Sequence, residues 1–171
     1  MNLIDRALVT AYLQSKEEAS FRLLYSRHAK PLWHMAMKLT NGDTHQAEEI
    51  VQDTWMRAIQ GLDKFEWRSS LRTWLLKISI NRWKENRRKE TTIGLEDVAT
   101  NADPYATSAY DTHKIVALLP EGYQTVLLLH DLEGYKHEEI AQLLDIAPGT
   151  SKSQLHQARK AFRKLIQKEN I

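Results

Sequence analysis

Apolar residues recur at intervals of three and four along most of the chain, which is the spacing of helices that bury one face. In the first half this pattern predicts a helix over residues 17–39, preceded by a shorter helix over residues 3–13. Pro31 lies inside the longer pattern, so we expect it to kink this helix or to mark a new helix start. The spacing is helical rather than alternating, and we expect an all-α protein.

A third predicted helix follows turn residues at positions 41–44 and ends at Gly61. Its apolar face carries Ala47, Ile50, Val51, Trp55, Ala58, Ile59 and Leu62. The opposite face is polar and carries Glu48, Glu49, Gln52, Asp53 and Arg57. A polar helix face is most often simply solvated, so this face by itself does not indicate a partner.

Aromatic and basic residues alternate between Gly61 and Glu90. Ser69 or Ser70 can cap a helix here, and its predicted core stripe is Leu71, Trp74, Leu75, Ile78 and the stem of Arg82. Phe65, Trp67 and Trp83 complete the aromatic set, and the basic set is Arg68, Arg72, Lys77, Arg82, Lys84, Arg87, Arg88 and Lys89. Rings can stack on unpaired bases while Lys and Arg bind phosphates, so this composition fits a single-stranded nucleic acid. A buried aromatic helix with a solvated charged face is the alternative.

Charge divides the chain into two blocks. Residues 91–112 carry no Lys or Arg and four Asp or Glu, and this stretch has little periodicity. We therefore predict two small helical domains, residues 1–90 and 112–171, joined by a flexible linker over residues 91–111.

The second domain ends in two short helices joined by a tight turn. The first includes residues 140–144, and the second begins at Thr150 after Pro148 and Gly149. The second helix buries Ser151, Leu155, Ala158, Phe162 and Leu165 and exposes Lys152, Ser153, His156, Gln157, Arg159 and Lys160. This is the helix-turn-helix pattern, in which the second helix enters the major groove of DNA. Plain helical hairpins share the pattern.

Other function classes find little support in the residues. The chain has no Cys and its His residues are scattered, so we predict no disulfide, no metal site and no cofactor. It contains no glycine-rich phosphate loop and no nucleophile motif, and we therefore expect no enzymatic activity and no small-molecule substrate. No apolar run approaches a membrane span and the N-terminus does not resemble a signal peptide, so we expect a cytoplasmic protein.

Three stretches in fixed order resemble one known family. AEEIVQDTWMRA, FEWRSSLRTWLLKISINRWKENRRK and LLPEGYQTVLLLHDLEGYKHEEIAQLLDIAPGTSKSQLHQARKAFRKL are similar to bacterial RNA polymerase sigma factors of the extracytoplasmic-function (ECF) group, within the sigma-70 family. The resemblance covers about residues 10–90 and 112–167. It implies a subunit that directs core polymerase to promoters: a sigma-2-like domain would read and melt the −10 element, and a sigma-4-like domain would read the −35 element.

The resemblance also implies roles for residues of the first domain. Glu49, Gln52 and Asp53 would bind the clamp of the largest polymerase subunit; Glu49 stands where the family usually has Asp. The loop at residues 63–70 and Asn81 would capture a base flipped from the −10 element, with basic residues holding the backbone. The implied −10 contacts are Phe65, Trp67, Arg68, Ser69, Ser70, Asn81, Lys84, Arg87 and Arg88, and Arg82 would join the phosphate contacts. Trp74, on the apolar stripe, is predicted to be core.

In the second domain the family's recognition helix falls on the exposed helix face. The implied −35 contacts are Thr150, Lys152, Ser153, His156, Gln157, Arg159 and Lys160. Ser151 and Gln154 depart from the Val and Arg of many members, and Gln154 cannot supply a cationic phosphate contact. The implied partners are promoter DNA, the clamp and flap of core RNA polymerase, and an anti-sigma factor, which can be membrane-bound.

Two other hypotheses remain at this point. An ordinary helix-turn-helix regulator would bind duplex DNA unaided, but it would usually need to dimerise and the chain shows no clear heptad seam. An enzyme would need a motif that the chain lacks. The aromatic stretch and the polar third helix favour the sigma factor over both.

Overall fold

The computed structural model describes residues 3–93 and 112–169, and every regular element within these two segments is helical. Before the gap lie α1 (Leu3–Ser15), α2 (Glu18–Leu39), α3 (Thr44–Gly61) and α4 (Leu71–Ile93), with a 3-10 turn at Leu62–Lys64. After it lie α5 (Thr112–Ala117), α6 (Glu121–Leu127), α7 (His137–Leu144) and α8 (Pro148–Glu169), with a π-helical turn at Leu128–Leu132. The predicted all-α class is confirmed.

The chain forms two compact units. Among the described residues, 3–37 and 44–93 make up the N-terminal unit, and 38–43 and 112–169 make up the C-terminal unit. Most of the predicted linker, residues 94–111, lies outside the described residues. Before that gap, residues 91–93 continue α4.

The core of the N-terminal unit is built from the apolar faces of α2, α3 and α4. Its buried side chains include Leu24, Leu32, Met35, Ala36, Ala47, Ile50, Trp55, Ala58, Leu71, Leu75, Leu76, Ile80 and Trp83. α2 runs through Pro31 without interruption, so Pro31 does not mark a new helix start. α3 ends at Gly61, as predicted.

The buried face of α4 differs from the predicted stripe. Leu76, Ser79, Ile80 and Trp83 are buried together with Leu71 and Leu75, whereas Trp74 and Ile78 are only half-buried. The predicted stripe placed Trp74 in the core and left Trp83 outside it, whereas in the structure Trp83 is buried and Trp74 is half-buried. The prediction that Trp74 is a core residue was therefore wrong.

α1 is anchored on α2 by a buried carboxylate. Asp5 is 2% exposed, and its Oδ1 accepts a hydrogen bond from Arg27 Nε at 3.0 Å and lies 3.2 Å from His28 Nε2. Val9, one turn further along α1, is buried as well. A buried carboxylate must be paired to be tolerated, so this contact fixes where α1 lies on the unit.

The C-terminal unit packs α5, α6 and α7 against α8. Its core includes Ile115, Val116, Leu119, Val126, Leu128, Leu129, Ile140, Leu143, Leu155 and Ala158. Glu139 caps α7 by accepting a hydrogen bond from the Lys136 N–H at 2.8 Å, and Asp145 ends α7 in the left-handed conformation, with φ of 54°. α8 begins at Pro148 rather than Thr150, because proline is preorganised for the first position of a helix. α7, the turn and α8 form the predicted helix-turn-helix.

Candidate nucleic-acid interface

The polar face of α3 is solvent-accessible. Glu49 and Gln52 are exposed, and Asp53 is half-buried beside them. Residues three and four apart lie on one face of a helix, so these side chains are neighbours. Glu49 Oε1 lies 3.8 Å from Nδ1 of His45 on the same helix.

Asp53 also belongs to a charge cluster that joins α3 to α4. It forms an ion pair with Arg82 Nε, and the Arg82 side chain is only 17% exposed. Arg57 donates hydrogen bonds to both oxygens of Glu85, at 3.0 and 2.7 Å, and these bonds hold the pKa of Glu85 below its usual range against the raising effect of burial. Arg82 is therefore paired with carboxylates in this structure, and its contact with a DNA phosphate stays a prediction.

Three aromatic rings contact one another where the loop between α3 and α4 meets the first turn of α4. The ring centroids of Phe65 and Trp74 are 4.7 Å apart and nearly parallel at 26°, and those of Phe65 and Trp67 are also 4.7 Å apart. All three side chains are half-buried. Trp74 also lies over the end of α3, since a Cβ on Gly61 would be 3.5 Å from its ring. Trp74 is thus a member of the candidate site that the sequence assigned to the core.

This loop has a helix cap at its end and an unusual backbone conformation at Trp67. Ser70 caps α4, because its Oγ accepts a hydrogen bond from the Thr73 N–H at 3.0 Å. Trp67 has a φ of 58°, a left-handed conformation that is a genuine outlier for a bulky residue. Arg68 is exposed and paired with Glu66 at 2.7 Å, and Ser69 Oγ donates a hydrogen bond to the Ser70 carbonyl at 3.3 Å.

Asn81 shares a helix face with Trp74. A separation of seven residues is close to two helical turns, so Asn81 lies in line with Trp74, roughly 10 Å further along the axis. The exposed or half-buried residues of this line, which we call the α4 face, are Ser70, Trp74, Lys77, Asn81, Lys84 and Arg88. Arg87 lies beside it, with its guanidinium 5.4 Å from the centroid of the buried Trp83 ring. The structure therefore brings rings, an amide and cations into one line.

Exposed residues between Thr150 and Lys160 of α8 form a second surface, which we call the α8 face. Its members are Thr150, Lys152, Ser153, His156, Gln157, Arg159 and Lys160, and all are exposed. Ser151 is fully buried on the opposite side and shares a hydrogen bond of 2.9 Å with His137 Nδ1. Gln154 is half-buried, and a Cβ on Gly122 would lie 3.1 Å from its Nε2, so its amide packs against α6.

Arg159 differs from its neighbours on the α8 face because it has a carboxylate partner. Its Nη2 and Nε donate to the two oxygens of Asp131 at 2.6 and 3.0 Å. These hydrogen bonds hold the pKa of Asp131 below its usual range. Arg159 thus ties α8 to the π-helical turn, which the sequence did not indicate.

Two histidines stack beside this pair. The rings of His130 and His137 are 4.7 Å apart at 28°, and His130 Nδ1 lies 2.8 Å from Asp131 Oδ1. Partial burial lowers the pKa of His137, and the positive charge of His130 and Lys152 lowers it further. In the described segments no group of three or more His, Asp or Glu residues is arranged to hold a metal ion. No helix among the described residues has the length and apolar character to cross a membrane.

Comparison with known proteins decides what these surfaces belong to. The family models Sigma-70 region 2 and Sigma-70, region 4 match residues 24–93 and 111–162. The ECF RNA polymerase sigma factor SigL of Mycobacterium tuberculosis is 32% identical, over 91% of this chain and 93% of its own. The chain belongs to the ECF RNA polymerase sigma factors. As such it directs core RNA polymerase to promoters, with its region 2 serving the −10 element and its region 4 the −35 element.

Other relatives agree with this assignment. The ECF RNA polymerase sigma-E factor of Haemophilus influenzae is 28% identical, over 96% of each chain. The sigma factor RpoE of Bartonella quintana, solved in complex with the anti-sigma factor NepR, has a TM-score of 0.69 and 26% identity, covering 86% of this chain and 96% of that chain. The family resemblance read from the sequence is confirmed.

The match to region 2 begins at residue 24 and leaves α1 of this sigma factor outside it. The sequence also indicated no role for α1. One residue of α1 nevertheless reaches the aromatic loop: the guanidinium of Arg6 lies 5.4 Å from the Trp67 ring centroid. No periodic signal could have indicated this contact, because it depends on how α1 packs against the unit.

Proposed function

We propose that this ECF sigma factor captures an unpaired base of the −10 element with the aromatic loop and the α4 face. The position of Asn81 on the same helix face as Trp74, whose ring stacks on Phe65, carries this proposal. Unstacking a base costs a few kcal/mol, and stacking on rings together with edge contacts can return that energy. Asn81 has an amide that both donates and accepts, while Lys84, Arg87 and Arg88 supply a sequence-independent attraction to phosphates.

The α8 face is proposed to read the −35 element. Lys152, Ser153, His156 and Gln157 would contact base edges in the major groove, while Thr150 and Lys160 would contact the backbone. This proposal is supported by the exposure of the whole face and by the buried contacts of Ser151 on the other side. Arg159 is proposed to contribute less to DNA binding than Lys160, because its guanidinium already donates hydrogen bonds to Asp131.

Glu49 and Gln52 are proposed to dock the protein on the clamp of the largest polymerase subunit. Both are exposed on one face of α3, whereas Asp53 is shared with Arg82 and would take part less. The C-terminal unit would contact the flap. In this proposal residues 1–90 and 112–171 are the two functional domains, with 91–111 as the linker.

The same proposal implies where the protein acts and what regulates it. The protein would act in the cytoplasm as a binding subunit without catalytic activity of its own. An anti-sigma factor would inhibit it, by analogy with the Bartonella quintana sigma factor solved with NepR.

Reconstitution with core RNA polymerase tests the proposal. A promoter is first selected from a random-sequence library by open-complex formation with the wild-type protein. Asn81→Ala should slow open-complex formation on this promoter while leaving affinity for core polymerase unchanged. Asn86→Ala is the matched control, because it removes the same amide from another face of α4. Equal rates for the two variants would exclude Asn81 from base capture.

A second pair of variants tests the docking surface. Glu49→Ala with Gln52→Ala should weaken binding to core polymerase, measured by fluorescence anisotropy of the labelled sigma factor, without changing promoter preference. Gln60→Ala, at an exposed position nearer the end of α3, is the control. If the double variant bound core polymerase normally and changed promoter preference, the assignment of α3 to docking would be wrong.

A further inference from the structure

The first helix of the chain lies against the proposed base-capturing loop. α1 is fixed on α2 by the buried Asp5, whose carboxylate is held by Arg27 and faces His28. Arg6 is the next residue and is exposed, so its side chain leaves α1 in a direction set by that anchor. This direction takes the guanidinium to the ring of Trp67, 5.4 Å from its centroid.

Trp67 is the strained member of the loop. Its φ of 58° costs free energy for a residue of this size, and such a conformation persists only where the surroundings hold it. Phe65 contacts the Trp67 ring at 4.7 Å, tilted by 49°, and Arg6 provides a second contact. A guanidinium placed over an indole is attracted by the negative charge of the ring face.

We propose that Arg6 is a positioning residue for the −10 site, holding Trp67 in place through a cation–π contact. The order Arg6, Trp67, Phe65, Trp74 forms a continuous ladder from α1 to the α4 face. With the ladder in place, the loop is preorganised and loses little conformational freedom when a base stacks on it. α1 is thereby part of the site, although it lies outside the matched region 2. This inference rests on the proposed capture role of the loop.

The contact itself is tested first in the free protein. Arg6→Ala should increase acrylamide quenching of tryptophan fluorescence, because one face of Trp67 loses its cover. The same substitution made in a Trp67→Ala background should leave quenching unchanged. An equal increase in both backgrounds would mean that Arg6 acts on the unit as a whole and would overturn the proposal.

The functional test is a double-mutant cycle on open-complex formation. With core polymerase and the selected promoter, Arg6→Ala should slow opening about two- to fivefold, as expected for an exposed cation–π contact. Trp67→Ala should slow it at least as much, and the double variant should be no slower than Trp67→Ala alone. Arg6→Lys should restore part of the rate, and Arg22→Ala, which removes an exposed arginine from α2, should have no effect.

The outcomes separate this inference from the proposed function. If Asn81→Ala opens the selected promoter as fast as Asn86→Ala, the proposed function fails. If the wild type opens the promoter and Arg6→Ala opens it equally fast, only the role of Arg6 fails. If the double variant opened the promoter more slowly by the product of the two single effects, Arg6 would act independently of Trp67. That result would also overturn the proposal.

Discussion

The α4 face with its loop and the α8 face are built on different physical grounds. The first depends on half-buried rings that stack on one another across a loop, with Trp67 held in a left-handed conformation. The second is a wholly exposed set of polar side chains on a single helix. A flipped base needs a preformed surface to stack on, whereas the edges of paired bases are reached by side chains projecting into a groove. We therefore expect the first surface to be sensitive to packing and the second to side-chain identity.

Two tryptophans of α4 test this difference most strongly. Trp83→Ala should destabilise the N-terminal unit by about 3–5 kcal/mol, because it removes a fully buried ring. Trp74→Ala should cost less than Trp83→Ala because its ring is only half-buried: about 1 kcal/mol for the lost ring pair, in addition to the apolar area uncovered. It should nevertheless slow promoter opening. Urea unfolding followed by far-UV circular dichroism measures the first effect, and open-complex kinetics measure the second.

Equal destabilisation by the two substitutions would contradict the distinction between Trp74 and Trp83. If Trp74→Ala destabilised the unit as much as Trp83→Ala, Trp74 would be a core residue and its effect on opening would carry no information about the site. Affinity for core polymerase is the control, and it should be unchanged in Trp74→Ala.

The α8 face should respond to side-chain identity alone. Lys152→Ala with Gln157→Ala should change base preference at the −35 element, since a good base contact discriminates by about 1–3 kcal/mol. The unfolding midpoint should stay at the wild-type value because both residues are exposed. Selection from a library randomised only at the −35 element measures the preference. Lys164→Ala with Gln167→Ala, the same residue types further along α8, should leave it unaltered.

The sequence predicted correctly which residues of the α8 face are exposed, although Phe162 and Leu165, predicted to be buried, are half-buried. It predicted the exposure of the α4 face only in part, for a physical reason. Helical period alone determines which residues of α8 face outward, and starting the helix at Pro148 instead of Thr150 does not change that. On α4 two faces carry a tryptophan, and only packing against α3 and the loop decides which is buried. Pairs such as Asp53 with Arg82 and Asp131 with Arg159 join residues on separate elements, and no local spacing reveals them.

Arg159 and Lys160 sharpen the comparison within the α8 face itself. Lys160→Ala should reduce by about one the slope of log affinity against log salt concentration, as expected for one lost phosphate contact. Arg159→Ala should instead lower the stability of the C-terminal unit by about 0.2–1 kcal/mol, because its pair with Asp131 is partly exposed. Salt titrations of holoenzyme binding and urea unfolding separate the two effects. A full loss of slope in Arg159→Ala with unchanged stability would show that its main contact is DNA.

The smallest expected effect is a pH dependence of the C-terminal unit. The pKa of His137 is lowered in the folded protein by partial burial and by the charges of His130, Lys152 and Arg159, against an opposing effect of Glu138. In the unfolded chain its pKa returns to about 6.5. As the pH falls below that value the unfolded state gains a proton that the folded state resists, so stability falls. Asp131, whose pKa is also lowered, adds to this loss only nearer the usual pKa of Asp, about 3.9.

The positions of the tryptophans allow unfolding of the C-terminal unit to be distinguished from unfolding of the N-terminal unit. All five Trp residues precede residue 90, so their fluorescence reports on the N-terminal unit, whereas far-UV circular dichroism reports on both units. The circular dichroism transition that has no counterpart in fluorescence belongs to the C-terminal unit. When the pH is lowered from 7.5 to 5.5, the midpoint of this transition should move to a lower urea concentration. In His137→Asn this shift should be smaller, while His156→Asn, at an exposed position on α8, should keep it. An identical shift in His137→Asn would mean that a group other than His137 governs the acid sensitivity of the C-terminal unit.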